Sequence, residues 1–594
     1  MWTSYQVSCT HLIPGHSASA FSAQIHFAKC AQRDSMPMTL LREFTMCRIM
    51  DGITDKPDWH EGIKDLRIRD KWQLEAWRSG PGVTRQMVNW CIEELSQRAD
   101  KVPKHPGLPP PPIFVFNGDV YKTDEFTESD KLRRELQEAV REFERRIPED
   151  QRDLRSGSNG KIWDLVNPSL FPLVYGRTRI LADGTTTTLD NCIHLCGQGE
   201  TILAIPSRPP PNPEQELDAK GGKKPPKKKE RTLEDSYSKK FQWLPCDIDV
   251  SKGDIRIASY INNLHPVKDQ KLYKLINEFL TAAAVPMWDR IVATLQHGKA
   301  RKRLRYIYQH VRYKGSQKVV KEDSPPPEQR GKKKKSKKKV EVDFVLLQPD
   351  LPDTFKFYKR PVPISLREQC RLNGFQVIVK MVNIQLTPDK PEYEGEEWQV
   401  DGQLNEHIAS SIFYCYEMQN ITPSSLNFRQ LTDPKEVANF FRPKGAKDWL
   451  PGIFGIEENG PAWQEVGGVK IREGRLIGYP NLFQHRLGSF SLDDKKKPGH
   501  MKMLVLHLVD PSIKIISTAH VPCQRKDWWE DWKQNTPKRI NLPPVEPPVE
   551  SADFPITREE GERLKEEMMK ERKEFVEWQN EVFRNRIVSP NTRP

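Results

Sequence analysis

The sequence predicts an α+β protein with a helical N-terminal region, a mixed middle region and a C-terminal β core. Three observations support this prediction. Apolar residues recur at helical spacing through residues 38–100, strand-like segments separated by turns fill residues 374–520, and residues 557–586 form one long amphipathic helix. Hydrophobic residues make up 36% of the chain and aromatic residues 9%, which is enough for sizeable cores, so wholesale disorder is not expected.

The N-terminal helical pattern runs through MTLLREFTMCRIMDGI and resumes in RQMVNWCIEELSQRA, with the break TDKPDW at Pro57 between them. The Pro-rich stretch KHPGLPPPP at 104–112 then predicts a linker. Residues 128–147 predict a further amphipathic helix, with Ser129 as its N-cap.

The middle region changes to short strands and turns at residues 161–205, where LDNCIHL is strand-like. After the first Lys-rich stretch, a helix is predicted through LYKLINEFLTAAAVPMWDRIVATL, and its pattern runs on into KARKRLRYIYQHVRY.

The β core is predicted from strand-like segments. They are GFQVIVKMVNIQLTP, IASSIFYCYE, a hairpin in VGGVKIREGRLIGYPN that turns at Glu473 and Gly474, HMKMLVLHLVDP and IKIISTAHV. The last helix is predicted to start with a capping box of Thr557 and Glu560. Its apolar face comprises Leu564, Met568, Phe575, Trp578 and Val582.

These patterns divide the chain into nine segments. In order, they are an unmatched N-terminus expected to be disordered (1–37), a helical domain (38–112), a mixed α/β segment joined to the core (113–205), a Lys/Pro-rich low-complexity loop (206–240), a strand and helices supporting the core (241–313), a Lys-rich insertion expected to be disordered (314–341), the β core (342–535), a Pro-rich linker (536–556) and a C-terminal helix (557–588).

The formal charge of +13 comes almost entirely from two short segments. Residues 218–240 carry nine Lys/Arg against four Asp/Glu, and residues 314–341 carry eleven against four, so together they supply +12. The charge is therefore weak evidence for a basic binding fold. No stretch approaches the ~18 consecutive apolar residues of a transmembrane helix, so no membrane partner is expected.

The ten irregularly spaced cysteines do not indicate a secreted disulfide framework, and the first 30 residues contain no apolar run of signal-peptide length. An intracellular location is predicted, either cytoplasmic or nuclear, with the Lys runs as nuclear-import signals. A mitochondrial location is less favoured, because residues 1–33 lack acids but hold only two basic residues, Lys29 and Arg33.

Residues 299–314 are the strongest nucleic-acid candidate, because the segment combines basic residues with tyrosines, which can bind backbone and stack bases. The basic residues are Lys299, Arg301, Lys302, Arg303, Arg305, Arg312 and Lys314, and the tyrosines are Tyr306, Tyr308 and Tyr313. The favoured alternative is an exposed helix face that packs its tyrosines on the core.

Cys192, His194 and Cys196 invite a zinc interpretation. Residues four apart on a strand are ~13 Å apart, too far for one ion, so a structural role is favoured unless the chain turns there.

Asp401 and His485 form the sharpest candidate site. A jelly-roll oxygenase holds iron with three ligands on one face, typically a His-x-Asp/Glu pair on an early strand and a histidine several dozen residues later. Asp401 precedes His485 by 84 residues. The alternative is that Asp401 caps a turn and His485 is a turn histidine with satisfied hydrogen bonds.

At these residues the chain resembles a fungal family described only as domain of unknown function 4246. The resemblance rests on TLLREFTMCRIMDGITDKPDW, GSNGKIWDLVNPSLFPLVYGRTRIL, FQWLPCDIDV, SYINNLHP, QVIVKMVNIQLTPDKPEYEGEEW, DGQLNEHI, YPNLFQHR, KPGHMKMLVLHLVDP and TREEGERLKEEMMKERKEF, which span most of residues 38–586. The family in turn resembles Fe(II)/2-oxoglutarate oxygenases. The resemblance implies that the C-terminal core is a double-stranded β-helix, or jelly-roll, with helices flanking it.

The chain departs from the family's pattern at two positions. The family's early motif is W-H-V-E-G, whereas this chain has Gln399 in place of the histidine and keeps the carboxylate as Asp401. The family's late strand begins G-H-R-K, whereas this chain has Met501 in place of the arginine. A Gln amide is a poor Fe(II) ligand, and Met501 offers no charged partner to a cosubstrate carboxylate.

Three hypotheses follow. The favoured one is an oxygenase-like fold with a degenerate metal site and no cofactor, acting as a binding or scaffold protein. The second is an active iron dioxygenase of a small-molecule or protein substrate, using Fe(II) and 2-oxoglutarate, with Asp401 and His485 as ligands and Lys502 and Asn383 at the cosubstrate. Lys380 and Gln385 are further candidates to line that pocket. The third is a nucleic-acid- or chromatin-associated protein that uses the basic segments.

Overall fold

A computed structural model describes the chain at residues 36–102, 112–115, 120–182, 184–204, 237–296, 305–306, 308, 310–319, 340–352, 355, 362–441, 448–535 and 554–588. Helices and antiparallel strands are mixed throughout this part, which confirms the mixed α/β class.

The helices are α1 Leu41–Thr54, α2 Trp59–Gly62, α3 Leu66–Trp77, α4 Arg85–Ala99, α5 Ser129–Arg146, α6 Gln270–Phe279, α7 Val285–Gln296, α8 Leu366–Gln369, α9 Trp449–Phe454, α10 Lys526–Asn535 and α11 Arg558–Asn585. The strands are β1 Ile113–Val115, β2 Val120–Thr123, β3 Ile162–Val166, β4 Leu173–Val174, β5 Arg179–Ile180, β6 Glu200–Thr201, β7 Phe241–Gln242, β8 Cys246–Asp249, β9 Arg256–Ile257, β10 Arg312–Val319, β11 Val340–Leu347, β12 Phe375–Leu386, β13 Glu392–Tyr393, β14 Ile408–Gln419, β15 Ser425–Leu431, β16 Trp463–Lys470, β17 Leu476–Pro480, β18 Gln484–Leu487, β19 Phe490–Ser491 and β20 Gly499–Val509.

The main sheet has the strand order β1-β2-β17-β14-β20-β12-β8-β9, with β3 also paired to β12. Its centre is β20, which is antiparallel to β12 on one side and to β14 on the other. These three strands are the longest of this sheet and consist mainly of β-branched, aromatic and other apolar residues, the composition that favours a pleated, buried surface.

A smaller antiparallel sheet, β16-β15-β18, lies against the main sheet. The two share an apolar core to which β12, β14 and β20 contribute alternate residues, as the two-residue period of a strand requires. This interior includes Ile384, Phe413 and Met503 from the main sheet and Phe428 and Leu487 from the smaller one. Strand pairing among the described residues forms separate sheets and no closed barrel.

The other face of the main sheet is covered by α5, α6 and α7, whose apolar residues pack on those of β12, β14 and β20. Helix α7 approaches β17 so closely that a Cβ at Gly478 would lie 2.6 Å from Cγ of Met287. A larger residue at position 478 would therefore force the side chain of Met287 to move. The main sheet thus has a helix-covered face and an interior face.

The N-terminal helices are joined to the main sheet by buried ion pairs. Lys122 of β2 bonds Asp51 at 2.6 Å and Asp55 at 2.5 Å, and Arg475 bonds Asp55 at 2.8 Å and Asp124 at 2.5 Å. Each of these charges has a partner of opposite sign, and the pairs attach the helical region to the main sheet.

Helix α11 packs on the outer face of the smaller sheet through Phe575, Trp578 and Phe583. The Thr557 hydroxyl accepts a hydrogen bond from the Glu560 N–H, as predicted. In a capping box the Glu560 carboxylate would also accept from the Thr557 N–H. Here that carboxylate instead forms ion pairs with Arg177 and Arg563. At α5, Ser129 is the first helical residue rather than the cap, and Glu128 precedes it in a left-handed conformation.

Three predictions of strand structure are wrong. LDNCIHL folds into turns, with the Cys192 N–H donating to the Thr188 carbonyl four residues back. IKIISTAHV forms no strand, and the Ile515 N–H donates to the side chain of Gln376. The turn at Glu473 and Gly474 exists, but β16 and β17 on either side of it join different sheets and do not form a hairpin.

The predicted continuation of helix α7 is also wrong where the chain is described. The helix ends at Gln296, residues 297–304 lie outside the described part, and Arg312–Val319 is strand β10, paired with β11. Residues 314–319 and 340–341, expected in a disordered insertion, belong to this strand pair. The remaining residues of the two Lys-rich segments lie mostly outside the described part.

Candidate functional site

The structure brings Gln399, Asp401 and His485 together at the interior face of the smaller sheet. The Gln399 N–H donates to the His485 carbonyl at 3.1 Å, and the His485 N–H donates to the Gln399 carbonyl at 2.9 Å. Side chains of directly opposed residues lie on the same face of a sheet, and so do side chains two residues apart on one strand. The side chains of Gln399, Asp401 and His485 therefore share one face. Oδ1 of Asp401 lies 3.7 Å from Nε2 of His485.

Asn481 fixes the backbone of Asp401. The Asp401 N–H donates to the Asn481 side-chain oxygen at 2.9 Å, and the Asn481 amide returns a bond to the Asp401 carbonyl at 2.8 Å. The next residue, Gly402, has φ +69°, and a Cβ there would lie 2.7 Å from Cδ1 of Ile408. Glycine adopts this left-handed conformation without strain, so Gly402 lets the chain turn away after Asp401.

The Asp401 carboxylate accepts hydrogen bonds from the protein's own hydroxyl groups. Ser411 of β14 donates to Oδ2 at 2.6 Å, and Tyr479 of β17 donates to the same oxygen at 3.3 Å. The Tyr479 hydroxyl also lies 3.4 Å from Nε2 of His485. One carboxylate oxygen is thus engaged by neutral donors, while the other faces His485.

His507 is a site residue that the sequence analysis missed. Its Nδ1 lies 2.8 Å from the Ser411 hydroxyl and 3.6 Å from Oδ2 of Asp401, and its ring stacks on Trp243. The alternation of β20 contains a usable signal, because His507 lies on the same strand face as Met501, one of the two positions that depart from the family pattern.

The pKa of His507 is lowered to about 4, mainly by burial and also by Lys380, His485 and Arg572, against the opposing effect of Asp401. For Asp401, burial alone would raise the pKa, but His485, His507, the Ser411 hydrogen bond and Lys380 together hold it below its usual value. Asp401 is therefore ionised and His507 neutral at pH 7.

Lys380 faces the same interior from β12, because it alternates with Ile378 and Val382. Burial and the nearby Arg155 lower its pKa, while Asp164, Glu396 and Asp401 act in the opposite direction. Lys380 is thus the basic residue of β12 that lies within electrostatic range of Asp401.

Lys502 and Asn383 lie on the helix-covered face of the main sheet. Both donate hydrogen bonds to the Glu144 carboxylate of α5, Lys502 at 3.1 Å. Lys502 is also 3.7 Å from Glu417. Gln385 shares the strand face of Asn383, by alternation. The sheet therefore separates these predicted cosubstrate residues from Asp401 and His485, whereas Met501 is fully buried in the apolar interior.

Two of the three positions expected to hold Fe(II) carry a side chain that is a good ligand for it. Within the described residues, no group of three or more His, Cys, Asp or Glu side chains is placed to hold a metal ion. Asp401 and His485 occupy two of the three expected ligand positions, and the third is occupied by Gln399, whose side chain is a neutral amide. Nδ1 of His507 is directed at Ser411, and Nδ1 of His485 is buried without a hydrogen-bond partner among the residues that the structure describes.

The other candidate segments are used by the fold where they are described. Arg305, predicted to contact nucleic acid, forms buried ion pairs with Glu43 and Glu94, and Tyr306 is 1% exposed in the N-terminal core. Cys192 and Cys196 are buried, and burial raises the pKa of both thiols. Lys299, Arg301, Lys302 and Arg303 lie outside the described residues.

Among the helices that the structure describes, none is long and apolar enough to cross a membrane.

Comparison with known proteins gives two family matches. Residues 85–532 match a model described as "Protein of unknown function (DUF4246)", and residues 7–75 match its companion, "Domain of unknown function DUF4246, N-terminal". The second match begins well before residue 38, so the expectation that residues 1–37 are unmatched is wrong from residue 7 onward. No curated protein matches the chain. Since the first model alone spans most of the sequence, the chain belongs to the DUF4246 family.

Proposed function

We propose that this chain is a degenerate relative of the Fe(II)/2-oxoglutarate oxygenases, a jelly-roll protein that retains the fold but lacks a competent iron site and acts by binding or scaffolding. The observation that carries the proposal is the position of Gln399. It lies directly opposite His485 and one strand period before Asp401, where an iron site needs its second imidazole.

The strand order supports a jelly-roll core. One four-stranded array is β12-β20-β14-β17, and the other is the Gln399 segment followed by β18-β15-β16. Along the chain, β12, β14, β17 and β20 fall in the first array, and the Gln399 segment, β15, β16 and β18 fall in the second. Two facing antiparallel arrays of four strands, connected in this crossed order, are the arrangement expected of an eight-stranded jelly roll.

The hydrogen bonds at Asp401 support the loss of metal binding. Ser411 and Tyr479 occupy Oδ2 of the carboxylate, and His507, the nearest alternative imidazole, is engaged by Ser411. The polar interior is thus stabilised by the protein's own donors. This hydrogen-bond network gives Asp401 and His485 a structural role, which explains their presence without a catalytic role.

The test is anaerobic Co(II) titration, read by visible absorption, of the natural chain, Gln399→His and the control Gln534→His. Gln534 is exposed near the end of α10 and adds a histidine away from the candidate site. We expect stoichiometric binding by Gln399→His alone, since it restores a 2-His-1-carboxylate set. Stoichiometric binding by the natural chain, or none by Gln399→His, would contradict the proposal.

The active dioxygenase is the second candidate, and one observation favours it. Asp401 and His485, far apart in sequence, lie 3.7 Å apart, as two ligands of one ion would require. In this case Lys380, rather than Lys502, would face a cosubstrate carboxylate, because Lys380 shares the interior with Asp401. Conversion of 2-oxoglutarate to succinate by the natural chain with Fe(II) and oxygen, lost in Asp401→Asn, would establish this candidate.

A further inference from the structure

The segment that carries Gln399 and Asp401 has sheet pairing on one side. Its single bridge joins Gln399 to His485 of β18. On the other side, none of the described strands pairs with Trp398 or Val400. The main-chain groups on that unpaired side need other hydrogen-bond partners, because a buried N–H or C=O without a hydrogen bond is costly.

Two side chains of α11 supply that partner. The Asn580 amide donates to the Trp398 carbonyl at 3.1 Å, and the Val400 N–H donates to the side-chain oxygen of Gln579 at 3.3 Å. Residues 398 and 400 flank Gln399, whose own main-chain groups point the other way, to His485. The helix amides thus complete the alternating pattern that a neighbouring strand would form.

Asn580 also reaches the strand that carries His485. Its side-chain oxygen accepts from the Gln484 amide at 3.3 Å and from the Arg429 guanidinium at 2.6 Å. Gln484 immediately precedes His485. One side chain therefore bonds both segments that carry the candidate ligands, at the outer face of the smaller sheet.

Arg429 anchors this arrangement. It is 9% exposed, and its guanidinium lies 4.8 Å from the ring of Trp398, 5.2 Å from Trp463 and 4.6 Å from Phe583 of α11. Three rings around one cation restrict its orientation and so direct its N–H groups at Asn580 and Gln484. The contact between α11 and the sheet is therefore specific rather than merely apolar.

We infer that Asn580 is a positioning residue, and that it sets the separation of Asp401 and His485 by joining their segments from outside the sheet. The inference goes beyond the proposed function, since it concerns the geometry of the pair whether or not a metal binds. Gln579 supports it by holding Val400. Because none of the described strands pairs with Trp398 or Val400, the side chains of α11 supply the hydrogen bonds on that side.

The experiment compares Asn580→Ala, Asn580→Asp and the control Glu581→Ala, an exposed neighbour on α11. Hydrogen exchange is measured over residues 398–403 and 484–487, with β14 as an internal reference. Asn580→Ala is expected to accelerate exchange about tenfold in both segments, the effect of losing a buried hydrogen bond, and to leave β14 unchanged. Asn580→Asp keeps the acceptor but not the donor, so only residues 398–403 should accelerate.

Co(II) affinity in the Gln399→His background gives a readout that a purely structural role would not move. Asn580→Ala should weaken it at least tenfold, and Glu581→Ala should not change it. Unchanged exchange in both segments, or equal acceleration in β14, would overturn the inference. If Gln399→His binds no Co(II), the proposed function fails, while the exchange data still decide the role of Asn580.

Discussion

The two faces of the main sheet each carry a buried polar cluster, and the two clusters are built differently. On the helix-covered face, Lys502 and Asn383 bond Glu144, so each charge has an opposite charge or an amide beside it. On the interior face, the Asp401 carboxylate accepts hydrogen bonds from two hydroxyls and lies near two imidazoles, and no Lys or Arg among the described residues bonds it. The first cluster attaches a helix to a sheet, whereas the second places a carboxylate and two histidines together in the buried interior.

A shift of one position along a strand decides which of the two clusters a side chain joins. Met501 and Lys502 are neighbours on β20, yet one lies in the apolar interior and the other under α5. The family's arginine position therefore falls on the interior face, and its charge cannot be supplied by the next residue.

The largest expected effect is on the helix-covered face. Lys502→Ala removes the buried cation between Glu144 and Glu417 and leaves these two half-buried carboxylates without it, so we expect a loss of about 3 kcal/mol in the free energy of unfolding. Urea denaturation measures it, with the exposed Lys497→Ala as control. A loss below about 1 kcal/mol would show that this cluster is not a buried ion pair in solution.

The next effect concerns pH and the interior face. The pKa of His507 is about 4 in the folded chain, below its ordinary value, so the unfolded chain binds more protons between the two values. Stability should therefore fall as the pH drops from about 6.5 to about 4, by up to about 3 kcal/mol from this group alone.

The groups that face His507 are Asp401, Lys380, His485 and Arg572. His507→Gln should remove this part of the acid sensitivity, whereas the exposed-residue control His310→Gln should retain it. Denaturation midpoints measured from pH 7 to pH 4 decide this. An unchanged slope in His507→Gln would mean that the ring is hydrated rather than buried against Trp243.

The smallest effect is expected from Ser411→Ala. The variant removes one hydroxyl that bonds both Asp401 and His507, which should cost about 1–2 kcal/mol, since the partners are buried. Ser251→Ala, at an exposed turn, is the control. Thermal denaturation measures the difference, and equal stability of the two variants would indicate that water replaces the Ser411 hydroxyl.

Much of the site was predictable because strand periodicity is a local property. The alternation in GFQVIVKMVNIQLTP and HMKMLVLHLVDP predicted β12 and β20, and the same rule separates Met501 from Lys502. The spacing of Asp401 and His485 predicted their proximity, which the structure shows.

The rest depends on contacts between distant segments. Whether β16 and β17 pair with each other or join different sheets is not encoded in the turn at Gly474, since either arrangement uses the same turn. The basic run around Arg305 has helical periodicity, but its partners Glu43 and Glu94 lie more than 200 positions away in the sequence. The role of Asn580 likewise arises only when α11 meets the edge at Trp398.

The most direct test of the central claim is the iron stoichiometry of the natural chain. The protein is equilibrated anaerobically with Fe(II) and excess 2-oxoglutarate, passed through a desalting column, and analysed for metal. Because Gln399 stands where the second histidine ligand is expected, and the Ser411 hydroxyl engages Nδ1 of His507, we expect well under about one tenth of an iron per chain. One iron per chain would contradict the account.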